Sequence, residues 1–240
     1  MKGLFWLAGV AILAACSSGA DMTASVISTL NTVGPGSQRV LVEVADSDGK
    51  AVTLESSPIA TLRDENGSPI MTAYGEAVWL VPEEAMAYAF VLAIPEPETY
   101  QLTIETGDVE LPPAGFTVVA DPQQIEPGET APAVTGVPVA GPALVVFASP
   151  AWCPANSCQP LLDQAAAAAA DADIEFISAE VFANPDVEDE SDLELSTDVA
   201  AWGIPSQPWL FVVDGDGEVT ATFEGAVSDG ELSDAIAGVS

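Results

Sequence analysis

Residues 143–160 read Ala143-Leu144-Val145-Val146-Phe147-Ala148-Ser149-Pro150-Ala151-Trp152-Cys153-Pro154-Ala155-Asn156-Ser157-Cys158-Gln159-Pro160. The continuous apolar run 144–147 is the pattern of a strand buried on both faces. A helix is expected over 157–172, where six consecutive alanines stand at 165–170, since alanine has the highest intrinsic helix propensity. In a regular helix, residues five apart sit about 140° around the axis and cannot form a disulfide. A Cys153–Cys158 bond therefore requires Cys153 to lie in the turn before the helix. Pro154 suits a turn or a first helical position, and Ser157 can cap a helix starting at Cys158. Pro160 then falls in the first turn, where its missing N–H costs nothing. The alternative starts the helix at Pro154, and oxidation then needs local unfolding.

Towards the C-terminus a strand is expected at 174–179, then an acidic loop and a short helix near 198–202. Trp209-Leu210-Phe211-Val212-Val213 is a further strand. Asp214-Gly215-Asp216-Gly217 is a hairpin turn, 219–223 pairs back, and 229–238 is a final helix. The expected order is β-α-β-α-β-β-α. Two motifs stand within it: Trp152-Cys153 with Cys158 after the first strand, and Trp202-Gly203-Ile204-Pro205-Ser206-Gln207-Pro208 before the third. Together they resemble the redox and cis-proline segments of thioredoxin-like proteins, over residues 142–240. The resemblance implies an α/β thioredoxin-like domain at 143–240 with a cis Gln207–Pro208 bond. It implies Cys153 as attacking thiol, Cys158 as resolving thiol and Pro208 against the pair. Trp152 and the backbone of Gln207 would dock a partner's chain. No cofactor or metal is implied.

The segment departs from that family. Four residues separate the cysteines instead of two, and Val146 stands where a buried proton-relaying acid is usual. Some peroxiredoxins share the wider spacing, but they need a Thr where Pro150 stands and an Arg that 143–240 lacks. Sco-type copper-delivery proteins need a His. Two thiolates alone can hold Cu(I), a soft ion.

Towards the N-terminus, Pro122, Pro127, Pro132, Pro138 and Pro142 mark residues 120–142 as a Pro-rich acidic linker. Before it, strand signals at 40–44, 59–62, 78–81, 88–92, 100–104 and 116–119 recur about every ten residues. Asp46-Ser47-Asp48-Gly49 and Asp64-Glu65-Asn66-Gly67 read as turns. A small all-β sandwich of immunoglobulin type is expected at 37–119, without a Cys pin. Residues 16–36 read as a flexible tether.

Residues 1–15 are an export signal: Lys2, then an apolar stretch too short for a comfortable membrane span. Leu13-Ala14-Ala15-Cys16 resembles the lipobox of bacterial lipoproteins, which implies acylation of Cys16 and an extracytoplasmic, lipid-anchored chain. With Cys16 so occupied, Cys153 and Cys158 are the remaining pair, in a compartment where disulfides persist.

The 240 residues carry 4 Lys+Arg, 37 Asp+Glu and no His, a net charge of −33. That excludes His-based triads and metal sites, and it argues against nucleic acid. From residue 64 onward there is no positive side chain. The acidity reads as solubility in a salty medium, and the acids at 186–194 as a solvated loop. The leading expectation is an envelope thiol–disulfide oxidoreductase whose partners are protein thiols and disulfides. The alternative is a non-catalytic interaction scaffold held by a structural disulfide. A Cys153 lacking nearby cations is expected to be only weakly activated.

Overall fold

The structure, a computed structural model, describes residues 22–28, 32–153 and 156–239. The expected signal at 1–15 and Cys16 lie outside them. Among the described residues no helix is long and apolar enough to cross a membrane.

The first half is built from strands β1 (Met22–Val26), β2 (Gly36–Asp46), β3 (Ile59–Arg63), β4 (Pro69–Tyr74) and β5 (Glu76–Val81). β6 (Ala85–Ile94), β7 (Thr99–Thr106), β8 (Val109–Glu110) and β9 (Ala114–Thr117) follow. They form one sheet in the order β1-β2-β6-β5 and a second in the order β4-β3-β7-β8, with β9 on β7. Alternating residues such as Val40, Val42, Val44, Phe90 and Leu92 of the first sheet share a core with Leu62, Leu102 and Ile104 of the second. The opposite face of the first sheet is also covered: Leu41, Val78, Ala87 and Ala89 pack with Ala226. That double burial explains why β2 and β6 read as apolar runs rather than clean alternations.

The second half contains β10 (Ala143–Phe147), α1 (Cys158–Ala172), β11 (Glu175–Ala179), α2 (Thr197–Trp202), β12 (Trp209–Val213), β13 (Val219–Glu224) and α3 (Asp229–Ala237). The third sheet runs β11-β10-β12-β13. β10 pairs parallel with β11 and antiparallel with β12. Val145, Phe147 and Phe211 face the core around Trp202. Leu144, Val146, Leu210 and Val212 face α1 and α3. On α1, the small residues Ala165 and Ala169 are the ones buried against the sheet.

Three sequence-based expectations are corrected. The α/β thioredoxin-like class with a small immunoglobulin-type sandwich does not describe the molecule. It is a β-rich fold, with thirteen strands in three sheets against three α-helices among the described residues. Nine of the strands precede Val118 and four follow it, so strand outweighs helix over the described residues taken together. Part of the expected tether, 22–26, is strand β1, paired from Met22 on Asp46 to Val26 on Val42. Its alternation was readable: Met22, Ala24 and Val26 all pack on the first core.

The expected linker 120–142 is likewise docked. Ile125, Gly128 and Ala131 donate backbone N–H groups to Trp202, Val219 and Gly217, and Val134 and Val139 are buried in the second half. This strap passes so close to the end of α2 that a Cβ on Gly203 (φ +65°) would lie 1.6 Å from the Gln123 carbonyl oxygen.

Candidate functional site

β10 ends in a single 3-10 turn, Pro150–Trp152, and Cys153 follows with extended backbone. Cys158 is the first residue of α1. The two sulfurs are bonded, with the Cα atoms 5.9 Å apart. Cys153 thus lies in the turn ahead of the helix, the arrangement that the spacing requires for a disulfide. Cys153 is half-buried and Cys158 fully buried.

Ser157 occupies the cap position, but its hydroxyl makes no capping hydrogen bond. It lies 3.7 Å from Cys153 Sγ instead. The Cys158 backbone N–H donates to Cys153 Sγ at 3.1 Å. α1 has no acidic residue in its first turn, whereas α2 carries Asp198 there and α3 carries Asp229 and Glu231. An acid at that point would oppose an anion on Cys153. Its absence leaves the N–H groups and dipole of α1 directed at the sulfur.

The Gln207–Pro208 bond is cis, and Pro208 is buried. The Pro208 carbonyl accepts from the Gly225 N–H at 2.9 Å. The Gln207 side chain turns towards the cysteine loop. Its Oε1 accepts from the Ser149 N–H at 2.6 Å, and its Nε2 donates to the Trp152 carbonyl at 3.0 Å. The same Oε1 lies 3.8 Å from Cys158 Sγ. One amide therefore holds both ends of the 149–152 turn and touches the buried sulfur. Sequence reasoning assigned a role to Gln207's backbone and missed this one. No local pattern announces a contact between residues 58 positions apart.

Trp152 is half-buried, and its indole Nε1 donates to the Pro185 carbonyl at 2.8 Å. Trp209 donates to Ser206 Oγ at 3.0 Å. Trp202 is wholly buried beside Phe147 and Phe211. Val146 is fully buried among apolar side chains, so no acid stands behind the pair at that position.

The acidic loop is ordered by its own polar groups. Asp189 Oδ1 accepts from the Ser191 hydroxyl and N–H, and these two bonds hold its carboxyl below the usual range. Among the described residues no group of three or more Cys, Asp or Glu side chains is placed to hold a metal ion.

No protein-family model matches the chain, and no curated protein does. Among solved structures it is similar to the crystal structure of trypsin-activated alpha-2-macroglobulin from Escherichia coli, at 15% identity and a TM-score of 0.31. The likeness covers 86% of this chain, which spans 13% of the length of that one.

Proposed function

We propose that this protein is a thiol–disulfide oxidoreductase acting on protein thiols and disulfides outside the cytoplasm, held to a membrane by acylation of Cys16. The observation that carries the redox reading is the asymmetry of the pair. One sulfur is half-exposed and faces the Cys158 N–H and the Ser157 hydroxyl, while the other is buried at the helix start. In exchange, an incoming thiolate attacks Cys153 Sγ. A new sulfur–sulfur bond forms to Cys153 and the Cys153–Cys158 bond breaks. The electron pair leaves on Cys158 Sγ, which takes a proton from solvent and can donate it towards Gln207 Oε1. One disulfide is lost and one gained, so the step balances without a further reductant. In the opposite direction, the Cys153 thiolate attacks a partner's disulfide and Cys158 resolves the mixed bond.

Equilibration with glutathione buffers tests this reading. The expected potential lies above about −300 mV, the region of exchangeable rather than structural bonds. A lower value favours the scaffold alternative, in which the bond only clamps the turn between β10 and α1. The anchor is tested separately: Cys16→Ser should move the mature chain from the detergent phase to the aqueous phase. Equal partitioning of mutant and wild type would remove the lipid from the proposal.

A further inference from the structure

A cleft of about 430 Å³ lies between β5 and the first half of α1. Ala77, Val78, Trp79 and Leu80 all line it. Consecutive strand residues point to opposite faces. A cleft lined by four in a row therefore runs along the edge of the strand and not over one face. β5 is the terminal strand of the first sheet, paired with β6 alone among the described strands. On a terminal strand, alternate N–H and C=O groups turn away from the one partner, here β6. On the other wall stand the cap residue Ser157 and Pro160, Leu161 and Gln164 of α1. Their spacing of three, four and seven makes them one helical stripe. The cleft thus begins at Ser157, the residue whose hydroxyl lies 3.7 Å from Cys153 Sγ.

Its chemistry is unlike the rest of the surface. The protein carries 37 acids, yet Asp229 is the single ionisable side chain among the residues lining the cleft. Trp79 stands 47% exposed at it. The floor continues an existing apolar contact, since Val78 and Ala226 line the cleft and also pack together beneath it.

We infer that this cleft receives an uncharged, extended segment of a partner polypeptide, which adds to β5 as an antiparallel or parallel strand and delivers its thiol to Cys153. The inference rests on the redox reading above and names its substrate class. Main-chain bonds to the β5 edge would supply affinity without regard to sequence, and Trp79 would select apolar side chains. The one ionisable group in the lining, Asp229, already accepts from the Gln164 amide, so the cleft favours an uncharged segment over a basic one, although the molecule as a whole would attract cations. The two halves of the chain would then act jointly, the first holding the substrate and the second exchanging with it.

The test uses the mature chain carrying Cys16→Ser, oxidised, and a capped hexapeptide of alternating Val and Thr. A Ser-containing form reads docking alone, by nuclear magnetic resonance shifts of the Trp79 indole. Two further forms carry backbone N-methyl groups on the odd or on the even residues. Strand addition predicts that one methylated form binds like the parent and the other does not. If both bind alike, or the parent does not bind, the inference is overturned. A Lys-rich hexapeptide that binds more tightly, with steep salt dependence, would also overturn it in favour of a general acidic surface. A Cys-containing form then reads exchange, as the ratio of its rate to that of dithiothreitol. Trp79→Ala should lower that ratio about tenfold, the scale of an aromatic hot spot, and an unchanged ratio would count against the cleft. A disulfide inert to dithiothreitol as well would sink the redox reading itself, while the docking arms would still decide whether the cleft binds an extended chain.

Discussion

Two neighbours in the chain contact Cys153 Sγ, the Cys158 N–H at 3.1 Å and the Ser157 hydroxyl at 3.7 Å, and the proposed exchange would draw on both. In a protein with the second cysteine changed to Ser, Ser157→Ala should slow alkylation of Cys153 at neutral pH by up to about tenfold, one hydrogen bond to an anion. An unchanged rate would leave the N–H and the helix dipole as the sole activators. Gln207 acts at a distance in sequence and at contact in space. Gln207→Leu strands the Ser149 N–H and the Trp152 carbonyl and should destabilise the fold by about 1–3 kcal/mol, measured by urea unfolding. Gln207→Glu keeps the acceptor but turns a carboxylate towards the Trp152 carbonyl and Cys158 Sγ, so exchange should slow as well. The cysteine turn was legible because proline, serine and cysteine spacing is local information. The inward turn of Gln207 was not, because it depends on which distant segment β12 brings alongside.

At the scale of elements, strands announced themselves better than connections. The signals at 40–44, 59–62, 88–92 and 100–104 all fall inside observed strands, and the turns at Asp46, Asp64 and Asp214 are where they were read. β4 is harder to read: Pro69 opens it, and Ile70 and Tyr74 on its exposed side blur the alternation of Met71 and Ala73, which pack on the core. β1 carries a strand alternation in Met22, Ala24 and Val26, but it is only five residues long and stands in a small and polar stretch that reads as tether. The strap at 120–142 was misjudged for a related reason. Its prolines signal extension, but Ile125, Ala131, Val134 and Val139 are spaced widely enough to hide their common burial.

Gly203 tests the strap. Gly203→Ala must adopt a left-handed backbone, at about 1–2 kcal/mol, and displace the Gln123 carbonyl besides. We expect a loss of at least that size and faster proteolysis within 120–142. Unchanged proteolysis would mean that the strap is not pinned at α2. α3 is fixed at its start by a capping box between Ser228 and Glu231, and the Ser228 hydroxyl also reaches Glu76 on β5.

The whole molecule is joined by a cation that its second half does not possess. No Lys or Arg occurs after residue 63, and Arg39 on β2 supplies one. Its Nε and Nη2 donate to the two Glu231 oxygens at 2.6 and 3.0 Å. Nη2 also donates to the Ala226 carbonyl at 2.7 Å, and the guanidinium lies 5.5 Å from the Phe223 ring centre. Burial pushes the Glu231 carboxyl up, but the Arg39 and Ser228 bonds outweigh it and hold the carboxyl below its usual range. A carboxyl depressed in the folded state contributes stability above its unfolded value, near 4.5. That contribution is lost as pH falls through the folded value.

Acid unfolding of the wild type should therefore extend below that of Arg39→Ala. The variant should also lose about 3 kcal/mol at neutral pH by leaving Glu231 buried without its partner. Parallel acid transitions in the two proteins would refute the staple. Added salt should raise the wild-type melting temperature, because it screens acid–acid repulsion more than it weakens this shielded pair.

Each of the three sheets carries one loop of the same design, and the consequence is chemical ageing. Asp46, Asp64 and Asp214 each accept two backbone N–H groups, from Asp48 and Lys50, from Asn66 and Ser68, and from Asp216 and Glu218. The glycine between, Gly49, Gly67 or Gly217, donates its own N–H back to that same aspartate's carbonyl. Asp48-Gly49, Asn66-Gly67 and Asp216-Gly217 are the dipeptides most prone to succinimide formation, which begins when the glycine nitrogen attacks the side chain before it. Here that nitrogen is engaged while the hairpin is closed. Isoaspartate should accumulate at each dipeptide only as often as its own sheet frays. Mass spectrometry of stored protein would then record three separate opening histories, one for each sheet.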